Sequence, residues 1–196
     1  MGRLEVITGC MFAGKTEELL RRIERARIAG KNIFLAKPEI DTRYSETEIV
    51  THYGRSFPCQ RAPVKISKEW LMAHYGDKIK EAEVIGFDEA HFFRGRFVQL
   101  CEWLVGIGKR VIIAGLDLDF RAKPFGFMPQ LLALADEVIK LQAVCVKCGK
   151  PATRTQRLIN GKPAGKNAPL IKIGGLETYQ ARCLDCFIPP SLADKN

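Results

Sequence analysis

No run of about eighteen apolar residues occurs in this 196-residue chain, so no segment is suited to crossing a membrane as a helix. The opening stretch, MGRLEVITG, has neither the longer apolar core nor the small-residue cleavage site of a secretory signal. It also lacks the Ser or Thr that a myristoylation motif wants, and Leu4 to Thr8 is better used as a strand. Internal repeats and low-complexity tracts are missing as well. Seven cysteines are too few and too clustered for a secreted disulfide framework. Four of them form two Cys-x-x-Cys pairs, which in a reducing compartment read as a metal site. The expected location is the cytoplasm. Acidic residues run short, 22 against 31 Lys and Arg, leaving a formal charge of +9. Such an excess suits a polyanionic partner, and a nucleoside triphosphate qualifies as well as nucleic acid does. Much of it lies in Arg21, Arg22, Arg25, Arg27 and Lys31, around one expected helix, where a solvated face is the simplest reading.

What is present is an ordinary globular balance, with 46% hydrophobic and 27% charged residues, enough for one domain and a small appendage. Apolar runs suited to strands occur at Leu4 to Thr8, Asn32 to Lys37, Val84 to Phe87, Arg110 to Leu116 and Glu137 to Leu141. Helical patterns fill Thr16 to Ala29, Ser67 to Lys80, Phe97 to Ile107 and Pro129 to Ala135. Strands alternating with helices predict an α/β fold with a parallel sheet covered on both faces. Glu39 to Pro63 has turn residues and no strong period, so a mobile loop region is expected there. After Cys145 the composition turns to Gly, Pro, Lys and Cys. We therefore expect a nucleotide-binding domain over residues 1–143 and a smaller unit over 144–196.

Gly9-Cys10-Met11-Phe12-Ala13-Gly14-Lys15-Thr16 matches G-x-x-x-x-G-K-T between an expected strand and an expected helix, the context of a phosphate-binding loop. Its glycines let backbone N–H groups turn toward phosphate oxygens, and the helix N-terminus adds positive partial charge. Lys15 is suited to the β- and γ-phosphates of ATP, and the Thr16 hydroxyl to Mg²⁺. Asp88 ends an apolar strand, where a Mg²⁺-holding acid belongs. Glu89, one residue on, can accept a proton from an attacking hydroxyl; the alternative is that it only orients Thr16 or a water. Asp88-Glu89-Ala90-His91 also spells a helicase tetrapeptide, but 196 residues cannot supply the two RecA-like domains a helicase needs. The tetrapeptide therefore signals ATP and Mg²⁺, with His91 a loop hydrogen-bonding residue and His52 and His74 ordinary surface or core residues.

Cys145-x-x-Cys148 and Cys183-x-x-Cys186 make a four-thiolate pattern suited to a closed, structural Zn²⁺ site. Cys10, Cys59 and Cys101 are expected to be buried. The stretch between the knuckles, Gly149 to Arg182, is polar and glycine-rich, and is able to fold over a ligand.

Taken together, these motifs resemble the type II, or cytosolic-type, thymidine kinases. The resemblance runs from Leu4 to about Phe187. It also includes Asp41-Thr42-Arg43-Tyr44-Ser45, Phe87 to Phe93, Leu116 to Gly126, and Ile173-Gly174-Gly175 with Tyr179 before the second knuckle. It implies a RecA-like P-loop fold with a zinc-bound lasso, and transfer of the γ-phosphoryl group of ATP to the 5′-hydroxyl of thymidine. By the same resemblance Glu89 is the general base, and Asp41, Thr42 and Arg43 lie near the phosphates. The backbone of Leu170, Ile171, Lys172, Ile173 and Gly174 reads the thymine edge. Phe120, Phe125, Tyr179, Met11, Leu116 and Thr155 enclose the nucleoside. A homotetramer inhibited by thymidine triphosphate is also implied, with no nucleic-acid or membrane partner. A methyl pocket discriminates by only about 1–3 kcal/mol, so deoxyuridine is expected as a weaker substrate. Two positions depart from the pattern: His91 stands where many members carry Gln, and Leu184 where a polar or basic residue is common. The rival reading, a zinc-ribbon nucleic-acid-binding ATPase, has basic residues in the cysteine segment but only Tyr179 and Phe187 as aromatics there.

Overall fold

The computed structural model describes residues 1–42, 47–50 and 56–190; Arg43 and His52 lie outside them. In chain order the main elements are β1 (Arg3–Gly9), α1 (Lys15–Ile28), β2 (Ile33–Pro38), the short β3 (Glu48–Val50), β4 (Ser56–Pro58), β5 (Gln60–Ala62) and β6 (Lys65–Ile66), then α2 (Lys68–Glu81) and β7 (Val84–Phe87). They continue with β8 (Arg94–Gly95), α3 (Phe97–Gly106), β9 (Arg110–Gly115), α4 (Met128–Leu134) and β10 (Glu137–Leu141). Six strands form one sheet in the order β10-β1-β9-β7-β2-β5, with every neighbouring pair parallel.

The central strands β7 and β9 read as unbroken apolar runs because both faces of the sheet are covered there. On β9, Val111 and Ile113 join a core with Leu71 and Ile79 of α2, Phe97, Leu100 and Leu104 of α3, and Met128 and Leu131 of α4. Ile112 and Ala114 face the other way, packing with Leu19, Leu20, Ile23 and Ala26 of α1. The apolar stripe expected on that helix is therefore what it buries. β7 carries Gly86 beneath α1, where a Cβ would stand 2.3 Å from Leu35 Cδ2 and 3.4 Å from the Cδ1 atoms of Leu19 and Ile23. A side chain there would displace the buried Leu35 side chain from between sheet and helix. The Ser67 hydroxyl caps α2 by accepting from the Trp70 N–H at 3.3 Å.

Three expectations need correction. Glu39 to Pro63 is not simply loop: β5 extends the main sheet beside β2, with Ala36 opposite Gln60, and β3 pairs antiparallel with β4. Strands of three residues leave no usable period, and their pairing is long-range. Arg22 is not on a solvated face. It is buried, donating to Glu5 Oε2 at 2.5 Å and to Glu18 Oε1 at 2.8 Å, with Glu137 at 2.7 Å. Arg110 and Arg3 complete the cage around the buried Glu5.

The segment between the knuckles is also more regular than its composition suggested. β11 (Ala143–Val144) pairs with β12 (Pro151–Ala152), while β13 (Arg154–Ile159) lies between β14 (Lys162–Pro163) and β15 (Tyr179–Arg182). Cys10, Cys59 and Cys101 are buried, and Cys10 links the main sheet's first loop to the cysteine-bearing segment. Its thiol lies 3.3 Å from the Ala152 carbonyl, and it packs with Ala143, Cys145, Ala152, Ala181 and Cys183. Because the sheet is parallel, β1, β7, β9 and β2 deliver Gly9, Asp88, Leu116 and Asp41 to one edge, the usual place for a ligand crevice. Among the described residues no helix is long and apolar enough to cross a membrane.

Candidate active site

The loop after β1 turns back at Gly14, whose left-handed φ of 81° starts α1 at Lys15 without a side-chain cap. Uncapped N–H groups at a helix start are donors for an anion. Lys15 is buried, and its Nζ donates to the Cys10 carbonyl at 2.7 Å, spanning the loop. The Thr16 hydroxyl lies 3.1 Å from Asp88 Oδ2, so the loop and the tip of β7 meet at the pair expected to hold Mg²⁺. Asp88 is fixed from both sides: its N–H donates to the Ala36 carbonyl, and its Oδ1 accepts from the Glu89 N–H at 2.9 Å.

Glu89 occupies the left-handed region at φ 49°, at the head of the short turn Ala90–Phe92. Such a conformation costs a non-glycine residue on the order of 1–3 kcal/mol and tends to persist where function requires it. Its carboxylate lies 3.4 Å from His91 Nε2.

These groups open into a cleft of about 510 Å³, of a size to hold a small ligand. The end of the cleft expected to take phosphate includes Phe12, Gly14, Lys15, Thr16, Asp41, Asp88 and Glu89. Its other end is lined by Met11, Leu116, Phe120, Phe125, Thr155, Leu170, Ile171, Lys172, Ile173, Gly174 and Tyr179, and His91 also borders it. Phe92, Leu116 and Phe125 form an apolar floor against which Met11, Ile40 and Ile173 pack. The covering segment is tied down at several points. The Tyr179 hydroxyl donates to the Lys172 carbonyl at 2.7 Å, Arg121 Nη2 to the Ala168 carbonyl at 2.8 Å, and Arg157 Nη1 to the Pro169 carbonyl. The Arg121 and Arg157 guanidinium groups flank the Phe120 ring at 5.0 and 5.1 Å. Thr155 Oγ1 accepts from the Met11 N–H at 3.1 Å, joining β13 directly to the phosphate loop.

Some expected site residues do not line the cleft. Gly9 serves the backbone, since a Cβ there would stand 2.3 Å from the Leu141 carbonyl oxygen. Cys10 and Ala13 pack against the cysteine unit, Ala90 is buried in the main core, and Thr42 is exposed outside the cleft. Conversely, Glu17, Lys37, Ile49, Phe92 and Leu176 line it without having been singled out. Lys37 left a signal: a lysine near the C-terminal end of an apolar parallel strand needs polar partners for its ammonium. It is buried, and its Nζ donates to the Glu48 carbonyl at 2.9 Å.

Cys145, Cys148, Cys183 and Cys186 converge, with their four sulfur atoms within 4.8 Å of one another. Sulfurs around a tetrahedral Zn²⁺ lie roughly 3.8 Å apart, given Zn–S bonds of about 2.3 Å. Burial opposes ionisation of Cys145, yet N–H groups of Cys183, Lys147 and Cys148 draw its thiol down to about 6. The neighbouring Cys148 and Cys183 push Cys186 up to about 12. Four thiols this close cannot all ionise by themselves. A divalent cation among them would remove that conflict, so the set fits a metal ion.

The profile of the family described as "Thymidine kinase" matches residues 2–187. A thymidine kinase of Coprothermobacter proteolyticus is 57% identical over 182 residues, spanning 93% of this chain and 88% of that protein. One from Chloroflexus aurantiacus is 49% identical over 191 residues, spanning 96% and 95%. With the phosphate loop, the acidic tip of β7 and the tethered cover all inside the matched region, the chain belongs to the thymidine kinase family.

Proposed function

We propose that the protein transfers the γ-phosphoryl group of ATP to the 5′-hydroxyl of thymidine, giving thymidine monophosphate and ADP in nucleotide salvage. The observation that carries this reading is one cleft with Lys15, Thr16, Asp88 and Glu89 at one end and a tethered, aromatic-lined chamber at the other. The N–H groups at the start of α1 and the Lys15 ammonium bind the phosphates, Lys15 exchanging the Cys10 carbonyl for phosphate oxygens. Thr16 and Asp88 would hold Mg²⁺, which supplies positive charge to the phosphates. Asp41 lines the same end, and Arg43 acts there by family resemblance. Phe120, Phe125 and Tyr179 enclose the base, and the backbone of Leu170 to Gly174 offers fixed donors and acceptors to its polar edge. Glu89 takes the hydroxyl proton as the new O–P bond forms, so the alkoxide never has to exist free.

Residues 144–196 act as a zinc-bound unit that closes over the nucleoside, with Cys145, Cys148, Cys183 and Cys186 as Zn²⁺ ligands and zinc in a purely structural role. Assembly as a cytoplasmic homotetramer under feedback by thymidine triphosphate, and a preference for thymidine over deoxyuridine, complete the reading and rest on family membership.

The test is Glu89→Gln, which keeps the size of the side chain and removes the base. The expected result is a kcat lower by about 10²–10⁴-fold with little change in KM for thymidine. A variant with near-normal kcat and weaker ATP binding would make Glu89 an orienting residue for Thr16 or a water.

A further inference from the structure

His91 is fully buried, and its two ring nitrogens face different partners. Nδ1 lies 3.1 Å from the Leu116 backbone nitrogen and accepts a hydrogen bond from its N–H. A backbone N–H can only donate, so Nδ1 must be bare and a neutral imidazole carries its proton on Nε2. Nε2 lies 3.4 Å from Glu89 Oε2. That distance is long for a hydrogen bond, as is common before substrate closes a site.

The ring has little freedom to do otherwise. It packs against both Phe92 and Phe125, with ring centroids 4.1 and 4.7 Å away. Arg94 Nη1 holds the His91 carbonyl at 2.6 Å. Gly115 lets the turn approach β9, since a Cβ there would come within 3.2 Å of the His91 backbone nitrogen. Glu89, by contrast, sits in an irregular left-handed turn, where no helix or strand sets the direction of its side chain. A leucine or phenylalanine would fill the aromatic cage without the cost of burying an imidazole. The histidine is explained by the partners beside its two nitrogens, the Leu116 N–H and the Glu89 carboxylate.

We infer that His91 is a positioning residue for Glu89: Nε2–H donates to one carboxylate oxygen and leaves the other to face the acceptor hydroxyl. The inference rests on Glu89 being the base. It predicts that glutamine can substitute, because its carbonyl can accept from Leu116 while its amide donates to Glu89. Leucine can do neither.

The test compares steady-state kinetics of His91→Gln, His91→Leu, Glu89→Gln and the Glu89→Gln/His91→Leu double variant. It is joined by a ¹⁵N spectrum of the imidazoles, of which the chain has three. His91→Leu should lower kcat by about 10- to 10²-fold, as a misaimed catalytic group does, with KM for thymidine within about threefold. His91→Gln should recover most of that loss. In the Glu89→Gln background, His91→Leu should cost nothing further, because a residue acting through Glu89 has nothing left to aim. The buried imidazole should show the Nε2–H tautomer. A His91→Leu variant with normal kcat beside a crippled Glu89→Gln would overturn the inference and leave Glu89 as base. So would an additive double variant, a failure of glutamine to rescue, or an Nδ1–H tautomer, the last readable even if the leucine variant does not fold. A Glu89→Gln enzyme with normal kcat would remove the base and this inference together.

Discussion

The phosphate end of the cleft and its nucleoside end are built in different ways. One continuous segment, Gly9 to Thr16, supplies most of the first, and short tertiary contacts add Asp88 and Asp41. The second is gathered from the loop after β9, from β13, from residues 170–174 and from the start of β15. A contiguous loop at a helix start is held by local backbone geometry. A scattered chamber is held by long-range contacts such as Tyr179 to Lys172 and Arg121 to Ala168. The two ends are also coupled: Cys10 and Met11 of the phosphate loop touch Ala152 and Thr155 of the cysteine-bearing unit. The cysteine-bearing unit is thus part of the support for the phosphate loop.

The largest expected effect separates the ends most cleanly. Lys15→Ala removes the buried cation from the phosphate end alone and should reduce kcat by about 10²–10³-fold, with circular dichroism and thymidine binding by calorimetry little changed. Loss of thymidine binding in a folded variant would mean the ends are not separable.

Metal removal addresses the coupling. Stripping zinc with a chelator, or replacing Cys183 by Ser, should lower the melting temperature by about 10 °C or more, because structural metal binding contributes directly to folding. If Cys10 and Met11 transmit the damage, affinity for an ATP analogue falls along with that for thymidine. Unchanged nucleotide affinity in zinc-free, folded protein would confine the metal's influence to the nucleoside end.

Tyr179→Phe is a smaller and more selective change. It deletes only the donor to the Lys172 carbonyl, a hydrogen bond worth about 0.5–1.5 kcal/mol. KM for thymidine should rise by roughly two- to tenfold while KM for ATP stays put. A matching rise in both would show that the tether acts on the whole cleft.

The smallest effect at neutral pH lies at the opposite end of the sheet, in the Arg-Glu cage around β1. Arg21 holds Glu18 down to about 2 against the opposing effect of burial, and Arg22 adds to it. Arg110 and Arg22 likewise outweigh burial to keep Glu5 below its usual value. Both carboxyls titrate lower in the folded protein, so their contribution is present above pH 4.5 and is lost as pH falls below it, for Glu18 toward about 2. Melting temperature should drop through that window, and Glu18→Gln should flatten the drop without altering kcat at neutral pH. An unaltered acid profile would make the cage a bystander.

The sequence by itself determined the features that local chemistry writes into neighbouring residues. The phosphate loop, the apolar strand ending in Asp88 and Glu89, the stripe of Leu19, Leu20, Ile23 and Ala26, and the paired cysteines each follow from spacing along the chain. Tertiary structure decided what depends on partners far away in sequence. β5 becomes a sheet strand only because β2 lies beside it, and Arg22 leaves the solvent only because Glu5 and Glu137 are brought to it. Lys37, Phe92 and Ile49 join the cleft because their strands and turns end at its edge. His91 could be read from sequence as a polar loop residue, but the bonding direction of each ring nitrogen appeared only with Leu116 and Glu89 in place. A hydrogen bond has a direction in space, and a sequence fixes direction only over the few residues that share one helix, strand or turn.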